Sequence, residues 1–318
     1  MRYAPPLIRW SLCLSLALSA CGSGVQPSDD AGDAASGDAS TPQPDASSQP
    51  DASVEGDGAA RADSGSTDGG TSTSDGGLPR FSFFVTSLSA LQALSGSANG
   101  FGGDLRFGES GPNAGLRGAD KICTAIAERS MPGSGRKVWH AFLSATNDGA
   151  GNVVHAIDRI GNGPWYDRLG RLLANNRMEL INTRPINADP AIINDFPNED
   201  GVPNHAPDVG MGQVDNHDML TGSNTQGQLY STTATCLDWT SAVGNTAAEG
   251  RPRVGHSWPR GGPGGPGGGS GAHWMSALDE AGCRAGVSLI EMGPPIPSNP
   301  TVGSGGGYGG FYCFAMEP

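Results

Sequence analysis

The feature that most limits what this chain can become is a set of four cysteines, Cys123, Cys236, Cys283 and Cys313, scattered through a region crowded with glycine, proline and asparagine. Such a region offers few long periodic runs, so its shape depends on what those thiols do. The N-terminus decides their state. Arg2 and Arg9 flank the start, and residues 12–20 form an apolar run too short to span a bilayer as a stable helix. Residues 1–20 therefore read as a secretory leader, in which Cys13 is lost. An even number of cysteines in an exported chain predicts two disulfides. Three pairings are possible, and chain entropy does not choose among them. The nested pairs come to roughly 5 and 4 kcal/mol, and the sequential alternative to about the same. No Cys-x-x-Cys spacing supports a zinc or thiol-catalytic use of these residues.

The leader ends Leu18-Ser19-Ala20-Cys21, which resembles the lipobox of bacterial lipoproteins. The resemblance implies cleavage before Cys21 and acylation of that residue. Several acyl chains would make the anchoring stable, at about 0.8 kcal/mol per buried methylene. Gly22, where an aspartate would favour the inner membrane in some bacteria, points to the outer membrane. Residues 21–79 are Ser, Asp, Ala, Gly, Thr and Pro with almost no large apolar side chain, so nothing offsets the entropy of ordering them. They are expected to form a disordered linker, spanning about 40 Å by coil scaling. The linker also carries most of the formal charge of −13, with eleven acids against the single Arg61 between positions 29 and 75. Neither it nor the remainder is a basic surface, which excludes nucleic acid as a partner.

Residues 80–318 hold the only material for a core. From Gly118, the apolar residues Ala119, Ile122, Cys123 and Ile126 fall on one face of a helix, with Asp120 in its first turn. Met131-Pro132-Gly133 stops that helix, and residues 138–144 read as a strand packed under it. Residues 81–86 predict an edge-forming first strand, and 96–113 a loop. Residues 152–160 predict a short helix with Val153, Ile157 and Ile160 inward. Residues 287–292 and 311–315 predict strands, and the Gly/Pro tract 261–271 an exposed loop. Trp139 and Trp239 are expected in the core. Short mixed strands, one strong helix and long loops describe an α+β domain.

The string Gly115-Leu116-Arg117-Gly118-Ala119-Asp120 with Cys123, followed by Ala141-Phe142-Leu143-Ser144, is similar to the start of the main helix of endostatin, the C-terminal domain of certain collagens. The order continues with Thr221-Gly222-Ser223, Cys236, Trp239, Cys283 and Tyr312-Cys313. A related group of domains on exported bacterial proteins is resembled too, from Phe84-Val85-Thr86-Ser87 onward. The resemblance covers most of residues 80–318. It implies a variant of the C-type-lectin-like fold and the nested pairing, Cys123 to Cys313 and Cys236 to Cys283. Heparin binding does not carry over, because the balance here is acidic. Endostatin's zinc site finds no matching histidines, and the Glu-Pro-Asn and Trp-Asn-Asp calcium patterns of sugar-binding lectins are absent from the sequence.

For chemistry, residues 194–218 are dense in hard oxygen donors that suit Ca²⁺: Asp195 and Asp200, then Asp208, Asp215 and Asp218. The spacing matches no EF-hand, and Asx residues also serve turns. His205 and His217 would draw a transition metal to the same carboxylates. The reading taken is that no metal is bound, with Asp195, Asp200, Asp215, His217 and Asp218 as the positions that would hold one. No nucleophile elbow, His-Glu-x-x-His helix or Walker loop occurs, and Gly262-x-Gly264-x-x-Gly267 lacks a strand-to-helix setting. The expectation is thus a lipid-anchored envelope protein with a lectin-like module that performs no catalysis and takes no cofactor. Its partners would be the membrane and an extracellular or envelope protein or glycan. The alternative is an extracellular metal-dependent hydrolase centred on residues 194–218.

Overall fold

A computed structural model describes residues 80–205, 214–244, 246–259, 273–290 and 293–318. The leader, Cys21, the linker, Asp208 and the tract 261–271 lie outside the described residues. The fold is mixed α/β, built around a strand that comes last in the chain. That strand, β8 (Gly307–Ala315), is buried at all nine positions. It pairs antiparallel with β1 (Phe83–Val85) and β2 (Trp139–Ala141), and parallel with β5 (Asp218–Leu220). The sheet runs β1-β8-β5-β6-β7, where β6 is Arg253–His256 and β7 is Leu278–Asp279. A separate hairpin pairs β3 (Trp165–Tyr166) with β4 (Leu172–Ala174).

Period-two alternation explains why β8 is buried on both faces. Cys313 faces helix α2 (Ala114–Ser130) and is bonded to Cys123 on it. Tyr312 and Phe314 face the other way, into an aromatic cluster. There Phe83 lies 4.9 Å from Phe314, Trp274 lies 5.2 Å from Tyr312, and Phe142 lies 4.9 Å from Trp274. These edge-on and tilted contacts are each worth about 0.5–1.5 kcal/mol beyond burial. Trp139 and Trp239 are buried as expected, and so are Trp165, Trp258 and Trp274.

Helix α2 packs over β2 as its sequence suggests, but it begins at Ala114. Asp120 consequently lies beyond the first turn and serves packing. Its Oδ1 accepts the Ala141 amide at 2.9 Å and both oxygens accept Arg159, so one carboxylate fastens helix to strand. Val138 and Val153 are exposed, so the strand starts at Trp139 and only Ala156–Arg159 is helical in the segment after it. Helix α1 (Leu88–Ser95) lies in a stretch given no element above. Ser87 Oγ caps it through the Ala90 amide, and Gly96 ends it at φ +67°. The edge of β1 is covered: its Val85 amide donates to Pro197 O, and the bridge Val85–Asn198 extends the sheet by one contact. Residues 287–290 form isolated bridges rather than a strand, Ser288 with Gly307 and Ile290 with Val214. Residues 291 and 292 lie outside the described residues.

Both disulfides are present, Cys123–Cys313 and Cys236–Cys283. The second anchors an unusual turn. Cys236, Leu237, Asp238 and Trp239 all have positive φ, from 49° to 64°, giving one turn of left-handed helix. L-residues resist this by roughly 1–2 kcal/mol each. The surroundings hold it: Thr235 Oγ1 accepts the Asp238 amide, Asp238 Oδ1 accepts the Thr146 amide at 2.7 Å, and Trp239 Nε1 donates to Ser144 O at 2.8 Å.

Candidate metal centre

Where β5 begins and β6 ends, the antiparallel register sets Asp218 directly opposite His256. Directly opposed residues share a face of the sheet, so both side chains meet. His256 Nε2 lies 2.9 Å from Asp218 Oδ1, and His217 Nε2 lies 3.4 Å from the same oxygen. The two imidazole rings are 4.0 Å apart and nearly edge to face. One ligand atom from each of His217, Asp218 and His256 falls within 4.8 Å of the others, and all three residues are buried. On the far side of His217, Asp215 Oδ1 approaches Nδ1 at 3.0 Å.

The backbone closes tightly over these carboxylates. A Cβ at Gly306 would lie 2.3 Å from Asp215 Oδ1, and one at Gly305 would lie 3.0 Å from Asp218 Oδ2. Only glycines let the turn before β8 come this near. The Gly305 amide, with that of Ala281, donates to Glu280 Oε2. No hydrogen-bond donor among the described residues reaches Glu280 Oε1. Burial, and then the charge of Asp218 beside it, push the Glu280 carboxyl well above the usual range.

Supporting contacts fix the two strand ends. Arg184 donates to His256 O and Ser257 O, each at 2.6 Å, and the Ser257 amide donates to His217 O at 2.9 Å. Trp258 packs against His217 at 4.6 Å, and its Nε1 donates to Asn216 Oδ1. Asn216 in turn donates to Asn204 O.

Of the five positions singled out in residues 194–218, three come together here: Asp215, His217 and Asp218. Asp195 and Asp200 do not join them. Asp195 Oδ1 accepts the His205 amide at 3.0 Å, a loop-closing role, while Asp200 is exposed in a turn. His205 meets Trp258 edge-on, with the ring centres 4.6 Å apart. The residues that complete the group, His256 and Glu280, lie 38 and 62 positions beyond Asp218. Alternation of Val254 and His256 in a short strand was the available signal for the first. Nothing local marks the second. No protein-family model matches this chain, and no curated protein matches it either.

Asp195 gives a test of the surrounding electrostatics. Burial pushes its carboxyl up to about 7, against the downward pull of the His205 amide and Arg184. A folded pKa above the unfolded value of about 3.9 means that the folded state holds the proton more tightly. Stability from this group is therefore full below about pH 4 and is lost as pH rises through about 7. Asp195→Asn should remove that loss. The variant's advantage in denaturant melts should grow from pH 4 to pH 7 to about 4 kcal/mol. A difference that stays flat with pH would show Asp195 ionised throughout.

Proposed function

We propose that this chain is an exported, lipid-anchored cell-envelope protein whose residues 80–318 form an endostatin-like module of the C-type-lectin-like class. The module binds a partner without performing chemistry. The observation that carries the reading is the covalent pattern. Cys123–Cys313 ties the main helix to the central strand and Cys236–Cys283 closes the loop-rich part, the same nesting that the endostatin resemblance implies. Two buried disulfides belong in an oxidising compartment, where a leader over residues 1–20 would deliver the chain. Anchoring at Cys21 and a linker of 21–79 would then hold the module away from the outer membrane. Among the described residues no helix is long and apolar enough to cross a membrane, so the acyl chains would carry the attachment.

The test is metabolic labelling of the full chain with palmitate. Label in the membrane fraction is expected with the native sequence and should vanish in Cys21→Ser. Label that persists in the variant removes the anchor.

A second reading, an extracellular metal-dependent hydrolase, is favoured by the convergence of Asp215, His217, Asp218 and His256. Their burial ranks it second. A catalytic ion keeps one position open to water or substrate, and the side chains of these four residues are at most 3% exposed.

A further inference from the structure

We infer that His217, Asp218 and His256 bind a single divalent transition-metal ion of the zinc class, as a buried clamp between the ends of β5 and β6. This stands independently of the anchor and of the partner. Two nitrogen donors and one carboxylate oxygen suit zinc and its neighbours, whereas Ca²⁺ and Mg²⁺ take oxygen donors throughout. Four-coordinate zinc with bonds near 2.1 Å sets its ligand atoms about 3.4 Å apart. The separation of His217 Nε2 from Asp218 Oδ1 is 3.4 Å, and His256 Nε2 stands slightly nearer at 2.9 Å.

The surroundings are those of a ligand set rather than of two ordinary ion pairs. The two imidazole rings stand 4.0 Å apart with a ring nitrogen of each turned to the same Asp218 oxygen. Asp215 at Nδ1 of His217 is placed to hold that ring with Nε2 turned toward the group, the arrangement by which carboxylates orient metal-bound histidines. Glu280 supplies a further carboxyl at 0% exposure whose Oε1 no donor reaches, against Asp218. The glycine turn at 305–306 keeps the cradle small, since any side chain there would overlap the carboxylates. Asp215 and Arg184 are positioning residues in this scheme: the first acts through His217, the second through the backbone of His256.

The experiment uses the full chain produced in an oxidising compartment, with Zn²⁺ and Co²⁺ as probes. Elemental analysis should find about one ion per chain, because a site built from folded elements binds as the chain folds. Co²⁺ exchanged into it should give the visible absorption of a low-coordinate nitrogen and oxygen site. His256→Ala should abolish stoichiometric binding. Asp215→Asn, which keeps the shape, should leave a folded protein with about 10–100-fold weaker affinity in chelator competition. That second variant keeps the test decisive even where His256→Ala does not fold. The inference is overturned if the native chain, with both disulfides mapped and a native near-ultraviolet dichroism spectrum, takes up neither ion in stoichiometric amount. It is overturned equally if bound ion survives at unchanged affinity in Asp215→Asn or in a folded His256→Ala. The residues would then form histidine–carboxylate ion pairs alone.

Discussion

Replacing Cys123 and Cys313 together by alanine should lower stability by roughly 5 kcal/mol. The bridge spans 190 residues, and the entropy it removes from the unfolded chain grows with that length. Domains of this kind are stable by only about 5–15 kcal/mol in total, so the bridge supplies a third or more of it. The Cys236–Cys283 bridge spans 47 residues and is worth about 4 kcal/mol on the same argument. Its removal should differ in kind as well as in size. It frees the left-handed turn at 236–239, which would relax locally and lower the observed loss. Chemical denaturation of each double variant, followed by tryptophan fluorescence, separates the two. A loss under about 1 kcal/mol for the longer bridge would mean that packing alone seats α2 on β8.

The second large effect is expected at Gly118. Alanine at an ordinary helix-interior glycine stabilises by about 1 kcal/mol. Here the sign should reverse. A Cβ at 118 would lie 2.1 Å from Leu105 O and 2.2 Å from Arg106 O, and both are backbone atoms that no rotamer change can move. Overfilling a core usually costs about 1–3 kcal/mol, and a clash with fixed backbone belongs at the upper end or beyond. The net effect of Gly118→Ala should be a loss of at least about 2 kcal/mol in the same melts. Gly108 serves as the control. It has φ +84° with open space around its Cβ position, so alanine there should cost only the backbone penalty, about 1 kcal/mol. Equal losses at the two sites would show that the loop at 105–106 moves aside freely.

These two glycines of α2, Gly115 and Gly118, also explain where the helix was hard to delimit from sequence. The spacing of Ile122, Cys123 and Ile126 makes the helix itself readable, because one apolar stripe faces one sheet. Glycines near its start look like breakers, yet they are the places where Asp238 O and Leu105 O press against the helix backbone. Helix α1 was readable in principle from the Ser87 cap and Gly96 stop, although only Ala90 and Leu91 are fully buried, so its apolar pattern is weak. The start of β8 is hidden in the sequence for the same reason as that of α2. Gly307, Gly309 and Gly310 carry no side chain to advertise burial, and the strand is legible only from Phe311 onward.

The candidate site divides along a similar line. Asp215, His217 and Asp218 are neighbours in sequence and stand out as a polar run before a strand. His256 reaches them through strand register and Glu280 through the closing of the glycine turn. Both are long-range consequences of the assembled sheet: the spacing of Val254 and His256 hints at a strand but not at its partner, and nothing local marks Glu280. Asp195 and Asp200 share the composition of the run but are spent on loop closure and a solvent turn.

The position of β8 in chain order carries a consequence for how the molecule is made. Strands β1 and β2 pair with no strand of the described residues other than β8, which follows them both, whereas β5 also pairs with β6. A nascent chain lacking residues 307–315 can pair β5, β6 and β7 but has nothing to hold β1 and β2 to them, and assembly from distant segments is slow. The chain would seat β1 and β2, and join Cys123 to Cys313, only after its final strand has been made.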